Sequence, residues 1–451
     1  MTTAERMDAS TRPLTIGLVL AVTMAAFEAL AVTTAMPKVI DDLGGIRLYG
    51  AAFSVYMLAN MVSLVVLGQM ADRHGPARPF AIGLGCFTVG LAIATVAPSM
   101  PVLVLGRAVQ GFGGGAVAST AYVAIGRGYP PERRATMFAI LSAAWVVPGL
   151  LAPAAAGLIA EHLSWRLVFG GLLPLPPLLA LLALPSLRRL PPERGVEPEP
   201  SRLRDALLVA VGAGLAVTGL QERHAVLGAA LVVVGVPIAW PALIRLLPPG
   251  TLTGRPGLPS VIACRLLLSF AFFGADAFIP LAVTSVRGRS PVYAGVALTT
   301  ASITWASASF VQSRRAARGD DRRMVRQGML IVLAGILLTM PVLIDAIPAW
   351  ITFISWAVAG WGMGFAFNTT SVAALAAAPP GREGRTSASL QLADVLGVAV
   401  GTGIGGAMVG YGDAAGWDEA SALLIAWTVA AAAAVLAAIA TRGVQNREPL
   451  P

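Results

Sequence analysis

Charged side chains set inside long apolar runs are the residues of this sequence that could do chemistry. Glu28 lies in the middle of the run that begins at Leu14, Asp276 ends the stretch Phe272-Phe273-Gly274-Ala275-Asp276, and Asp394 follows Ser389 and Gln391 in a third run. A carboxylate at such a depth is costly unless it faces a cavity, finds a partner or takes a proton. Each is therefore either a proton or cation site or an acid bonded to a neighbouring helix. Asp394, nearer an end of its run, has plain solvation as a third reading. Arg107 opens Arg107-Ala-Val-Gln110-Gly111-Phe112-Gly-Gly-Gly115. One helical turn separates Arg107 from Gln110, so both can point into one cavity; the rival reading has Arg107 snorkelling to a membrane face. Gly111 and Gly115 permit close helix packing. Arg265, near the start of its run, reads as a snorkelling anchor. Phe272, Phe273, Trp305, Trp356, Trp361 and Asn368 are candidates to line a cavity for a small molecule, although Trp at the end of a run also suits an interfacial belt.

The elements that must hold these residues follow from composition. The chain has 451 residues, 56% of them hydrophobic and 12% charged, and its mean hydropathy is +0.76. A soluble domain would carry about 25% charged residues. The runs have helical length and lack the short alternation of an outer-membrane barrel. An all-α polytopic membrane protein is expected, with the lipid bilayer as its solvent. The net charge of +9 does not point to nucleic acid, because of where the charge falls. Lys38, Arg47, Arg166, Arg223, Arg287 and Arg289 lie on loops of one side, and Arg107 and Arg265 within spans. The rest of the 32 basic residues lie on loops of the other side. That asymmetry is the positive-inside pattern and predicts a cytoplasmic location for both termini. The Arg-, Ala-, Gly- and Pro-rich usage suggests a GC-rich bacterium, hence its inner (plasma) membrane. Arg6 and Arg12 precede a first run too long for a signal peptide, which reads as an uncleaved span.

Several classes are excluded. The single lysine, Lys38, leaves no phosphate-binding G-x-x-x-x-G-K-[ST] loop. Gly111-x-Gly113-x-x-Ala116 lacks the preceding strand of a dinucleotide fingerprint. Cys86 and Cys264 fall inside spans, and His74, His162 and His224 are scattered, so neither a disulfide nor a metal centre is expected. No cofactor is expected, and no His, Cys or Asp residues stand at the spacing of an intramembrane enzyme.

Spans of about 20 apolar residues can be placed at Leu14–Met36, Tyr49–Met70, Pro79–Ala97, Val102–Ile125, Ala135–Ala160 and Leu167–Leu184. A Pro- and charge-rich linker follows. The shorter run Ala206–Leu220 and Val226–Leu247 then flank a tight turn. Six more spans run Ser260–Val286, Tyr293–Gln312, Met324–Ile344, Ala349–Leu375, Ser387–Tyr411 and Ser421–Thr441. The expectation is two six-helix halves plus a central two-helix insertion, or 14 transmembrane helices. Residues 1–185 and 260–441 form the halves, 206–247 the hairpin, 186–205 and 248–259 the linkers, and 442–451 the tail.

Between the second and third runs stands Gly68-Gln69-Met70-Ala71-Asp72-Arg73-His74-Gly75-Pro76-Ala77-Arg78. It reads either as a tight charged hinge or as a solvated turn. Gly68 would admit a close neighbour, and Gly75 can take φ > 0. Asp72 is placed to meet a positive group or a helix N-terminus. The Gly68, Ala71-Asp72-Arg73, Gly75 and Arg78 pattern resembles the loop motif of the major facilitator superfamily, with Pro76 and Ala77 where basic residues usually stand. Arg107-x-x-Gln110-Gly111 is similar to that family's proton-coupling motif. Pro148-Gly149-Leu-Leu-Ala152-Pro153-Ala-Ala-Ala156-Gly157 resembles its helix-5 antiporter motif, in which a mid-helix Pro kinks the helix. The segment from Glu28 to Pro37 resembles helix 1 of fourteen-helix drug–proton antiporters, with Glu where they carry Asp. Arg314 to Arg323 stands in the second half where the Asp72 loop stands in the first.

The resemblance implies a secondary transporter, not an enzyme, that exports amphipathic or cationic small molecules in exchange for protons; a monomer is expected. It implies proton coupling at Glu28, Arg107 and Gln110, to which Asp276 and Asp394 are added as candidates by their place inside apolar runs alone. It implies a cytoplasmic gate in which Asp72 meets Arg127 and the helix start at Thr386–Ala388. A dedicated exporter of one metabolite or lipid precursor is an alternative, and a non-transporting membrane sensor another.

Overall fold

The computed structural model describes residues 3–130, 133, 136–137, 140–141, 143–192, 200–222, 224–315, 319–379 and 383–447. No strand occurs among them. Their long helices are α1 (Thr3–Leu43), α2 (Tyr49–His74), α3 (Ala77–Thr95), α4 (Met100–Gly128), α5 (Val146–His162), α6 (Arg166–Leu187) and α7 (Pro200–Gln221). They continue as α8 (Ala225–Leu246), α9 (Leu258–Val286), α10 (Pro291–Arg315), α11 (Asp321–Thr339), α12 (Ile351–Ala376), α13 (Glu383–Ala415) and α14 (Glu419–Ala440). Twelve helices among the described residues are long and apolar enough to cross a membrane. In lipid a backbone must satisfy its own N–H and C=O groups, which is why apolar runs of this length become helices. Part of the expected fifth span, residues 193–199 of the linker, Arg223 and residues 316–318 fall outside the described residues.

Several boundaries differ from expectation for local reasons. Helix α1 continues through Pro37 to Leu43, because proline removes only its own N–H bond while the chain after it remains free to stay helical. It ends at Gly44 and Gly45, with φ of 68° and 75°. Pro148 lies in the first turn of α5, where a proline forfeits no helical bond. The helix that precedes it gives way to a turn over Ala144–Trp145, within four residues of Pro148, and Pro153 is interior to α5. Helix α9 is interrupted after Asp276 and resumes at Ile279, then closes in a π turn over Ala282–Val286. Side chains of other helices cap the carbonyls that the break exposes. Tyr49 Oη donates to Ala277 O at 2.7 Å, and Trp427 Nε1 to Ala275 O at 3.3 Å.

Glycine allows the closest crossings. A Cβ at Gly406 of α13 would stand 2.3 Å from Gly50 Cα of α2, and one at Gly111 of α4 would stand 2.1 Å from Tyr56 O of α2. Gly68 does not share this role. Its nearest neighbour, Ser119 Cβ, is 3.8 Å from a built Cβ, an ordinary contact, so the expected close approach there is corrected. The first and second helix sets meet at α2 with α13 and at α5 with α10. Helices α7 and α8 form a hairpin that packs on α2 and α13 through α7, clamped by a two-pronged Arg245–Asp205 pair.

The bundle has a basic end, carrying the α2–α3 and α10–α11 loops, and an opposite end. At the opposite end three bonds stitch the sets together. Arg47 Nε meets Asp413 Oδ2 at 2.9 Å, Tyr49 meets the α9 break, and Val292 N donates to Glu161 Oε2 at 3.3 Å. At the basic end the segment after α14 folds back onto Gly319 and the first turn of α11. Arg447 holds the fully buried Asp321 through Nε–Oδ2 (2.5 Å) and Nη2–Oδ1 (2.9 Å), and its own N–H reaches Gly319 O.

Candidate functional site

The ionisable residues expected to act together fall into three groups. The first is built by α1, α2 and α4. Glu28 and Gln110 have no exposure and Arg107 is 2% exposed. Arg107 Nη1 donates to Glu28 Oε1 and to Gln110 Oε1 (2.8 Å), and Arg107 Nε to Ala52 O (3.2 Å). The guanidinium carbon lies 4.1 Å from the centre of the Tyr56 ring. Arg107 is therefore held inside the bundle and does not snorkel. The spacing of Arg107 and Gln110 brings both onto the face that meets α1. Among the described residues, Glu28 Oε2 and Gln110 Nε2 have no hydrogen-bond partner. The cluster pairs one acid with one base and leaves one carboxylate oxygen unsatisfied.

The second group surrounds Asp276 at the α9 break. Its Oδ1 accepts from Trp356 Nε1 at 2.8 Å. The Trp356 ring stacks on Phe272 (5.4 Å, 20°), which meets Phe273 and Trp305 edge-on, and Trp305 meets Phe367 at 5.3 Å. Offset and edge-on contacts are the favoured geometries of aromatic pairs. The result is an aromatic wall between α9, α10 and α12.

The third group stands at the far end of that wall. Arg265 is buried, and its guanidinium carbon lies 3.3 Å from the centre of the Phe367 ring. Nη1 donates to Phe367 O (2.7 Å) and Thr370 Oγ1 (3.1 Å), and Nη2 to Ser371 Oγ (2.9 Å). Nε stands 3.8 Å from Asp394 Oδ1, which also accepts from Ser269. The expected snorkelling of Arg265 is corrected: α12 offers a carbonyl and two hydroxyls that the guanidinium can satisfy inside the bundle. Asp394 keeps 28% of its side chain exposed.

Of the expected cavity residues, Phe272, Phe273 and Trp305 belong to the wall, and Asn368 lies half-buried beside Phe367. Trp361 does not join them. It stands five residues after Trp356, about 140° round a helix, and lines a separate groove with Phe365. Sequence reasoning missed Tyr49, Tyr56 and Phe367. Tyr49, Phe53 and Tyr56 repeat at helical spacing on the face of α2 that joins the Asp276 break to Arg107. Phe367 follows Trp356 by about three turns. Those periodicities were the available signals.

The loop residues gather at the basic end. Asp72 Oδ1 accepts from Arg127 Nη2 at 2.9 Å, and Arg127 Nη1 donates to Ala71 O and Pro191 O. Gly75 has φ of 84°, which glycine alone adopts freely, and a Cβ there would stand 3.3 Å from Leu190 O. Arg73 and Arg78 are exposed. In α5, Gly149 faces Ser302, Gly157 faces Pro291, and Gly295 of α10 approaches the Pro153 carbonyl.

A bundle of apolar helices long enough to cross a membrane, with buried ion pairs between them, is the architecture of a polytopic membrane protein. The Major Facilitator Superfamily model matches residues 18–318, and the chain belongs to that family. It is a multi-pass membrane transporter, not an enzyme. It is 28% identical over 421 residues to a probable multidrug-efflux transporter of Mycobacterium tuberculosis, covering 89% of this chain and 88% of that protein. It is 25% identical to multidrug resistance protein 3 of Bacillus subtilis, covering 90% and 81%. Among solved structures, a bacterial homologue of the human lysosomal transporter Spinster, inward-facing and unoccupied, superposes with a TM-score of 0.69 at 15% identity over 97% of this chain and 98% of that one. A D-xylose–proton symporter superposes with a TM-score of 0.66 at 15% identity, covering 95% and 96%. At such identity these two likenesses concern the fold alone.

Proposed function

We propose that the chain is a proton-coupled antiporter that exports amphipathic or cationic small molecules across a bacterial plasma membrane. The observation that carries this reading is the Glu28 cluster, a carboxylate without exposure, one oxygen held by Arg107 and the other without a partner among the described residues. The unpartnered oxygen is where a proton goes. Protonation cancels the counter-charge of Arg107, and a substrate cation in the cavity favours the ionised acid again. Proton and substrate thus compete for one carboxylate, as exchange requires. Asp276, satisfied by a tryptophan N–H alone among its described bonds, and Asp394 beside Arg265 are the alternative proton carriers. The names of the relatives support the substrate class.

The membrane reading that goes with this function has fourteen spans. Helix α12, 26 residues without a charge, and α5 join the twelve helices that are long and apolar enough to cross a membrane. Residues 1–185 and 260–441 then form the halves, with the hairpin 206–247 at their side. The linkers, the tail and both termini lie at the cytoplasmic, basic end. On this orientation the end stitched by Arg47–Asp413 is the outer one, and the chain stands closed to the outside. The Asp72–Arg127 pair and the start of α13 at Thr386–Ala388 form the inner gate, and the protein acts as a monomer.

The test is uptake of a cationic dye into proteoliposomes under an imposed pH gradient. Glu28→Gln should retain dye binding but lose gradient-driven accumulation, and Glu28→Asp should keep part of it. Accumulation surviving in Glu28→Gln but vanishing in Asp276→Asn would move the coupling site to the α9 break.

A further inference from the structure

The groove that Trp361 lines stands apart from the three ionisable groups. Its floor is α12, which packs against both α10 and α11. Trp361 and Phe365, one turn apart, form that floor with ring centres 6.0 Å from each other. Leu330 and Ile331 of α11 make one wall, and Arg315 at the end of α10 and Gln327 of α11 close it toward the basic end. The groove encloses about 370 Å³. Leu330 is 44% exposed, so in a membrane the groove opens to lipid and not to the ionisable groups. Arg315 holds its guanidinium carbon 5.7 Å from the centre of the Phe365 ring. One turn nearer the basic end, the exposed Arg323 precedes Gln327 on the same face of α11.

The slot is apolar along its length and cationic at one end only. That end lies where α10 finishes and α11 begins, at the depth of lipid headgroups. A lipid-facing arginine at this depth is attracted to anionic headgroups. We propose that the groove binds an anionic phospholipid. One acyl chain lies along Trp361 and Phe365 between α10 and α11, and the headgroup phosphate meets Arg315, with Arg323 as a second cation. Complementarity of both kinds selects this occupant: a neutral chain for the aromatic floor and a negative head for the arginine rim. The lipid then rests on the back of α12, the helix whose other face carries Trp356 and Phe367. The site depends on the membrane placement of the chain and is independent of proton coupling.

The full chain in nanodiscs with a minor fraction of lipid brominated on one acyl chain provides the test. Trp361→Phe isolates the part of tryptophan quenching that comes from Trp361. Brominated phosphatidylglycerol should quench that part several-fold more than brominated phosphatidylcholine. Arg315→Gln should bring the two lipids to parity with thermal stability unchanged, and Arg315→Lys should keep an intermediate preference. Equal quenching by both lipids in the wild type would overturn the proposal, since the groove then takes any acyl chain. So would a preference untouched in the Arg315→Gln, Arg323→Gln double variant. Loss of lipid quenching on adding a cationic dye would make the groove an entry route for transported compounds instead.

Discussion

Asp72 is a single carboxylate whose work can be measured apart from folding. Its side chain is 38% exposed, and Arg127 contacts it at 2.9 Å. A charge-assisted hydrogen bond is worth about 1–3 kcal/mol, and exposure puts this one toward the low end of that range. Asp72→Asn should therefore keep expression and dye binding near wild type while lowering flux by about tenfold, the equivalent of about 1.4 kcal/mol. Flux equal to wild type would reduce the loop to a solvated turn. At this scale the Glu28, Arg107 and Gln110 cluster was legible, because charge inside an apolar run is rare and must be compensated. Arg265 was misread because its compensation comes from Phe367, Thr370 and Ser371 on a helix far along the chain. A local window shows that a guanidinium is near the end of a run, and not what waits for it inside.

Helix crossings put a sharp contrast on two glycines. At Gly406 an added Cβ meets the α2 backbone at 2.3 Å, whereas at Gly68 it meets only Ser119 at 3.8 Å. Overpacking of this kind costs about 1–3 kcal/mol, so Gly406→Ala should lower the melting temperature in detergent and loosen the stitched end. Gly68→Ala should stay within about 0.5 kcal/mol of wild type. Equal melting temperatures for the two variants would show that the α2–α13 crossing yields without cost. The existence of the helices was readable from run length alone. Their ends and breaks were not. Helix α1, expected to end near Met36, runs on through Pro37 to Leu43. The α9 break at Ala277 depends on Tyr49 and Trp427, contributed by α2 and α14.

The whole molecule's placement in the membrane rests on its charge asymmetry and can be tested by labelling. In the Cys86→Ser, Cys264→Ser background, Arg188→Cys and Arg322→Cys should react with an impermeant maleimide only from the cytoplasmic side. His224→Cys and Arg289→Cys should react only from outside. Labelling of positions 188 and 224 from one side would refute the fourteen-span arrangement. The order of runs and linkers suggests two helix sets, but the contacts between distant helices were not readable from it. The stitches Arg47–Asp413 and Glu161–Val292 join residues with no relation in local sequence. The Asp321–Arg447 clamp has a consequence in time as well as space. Asp321 precedes its partner by 126 positions, so the ribosome delivers the acid while α11 and the three helices after it are still to be made. A buried carboxylate without its partner is strongly unfavourable. The start of α11 is therefore expected to stay hydrated during synthesis, and Asp321 to become buried only after α14 has been inserted and Arg447 has emerged. The final step of biogenesis at this corner of the protein is the arrival of one arginine.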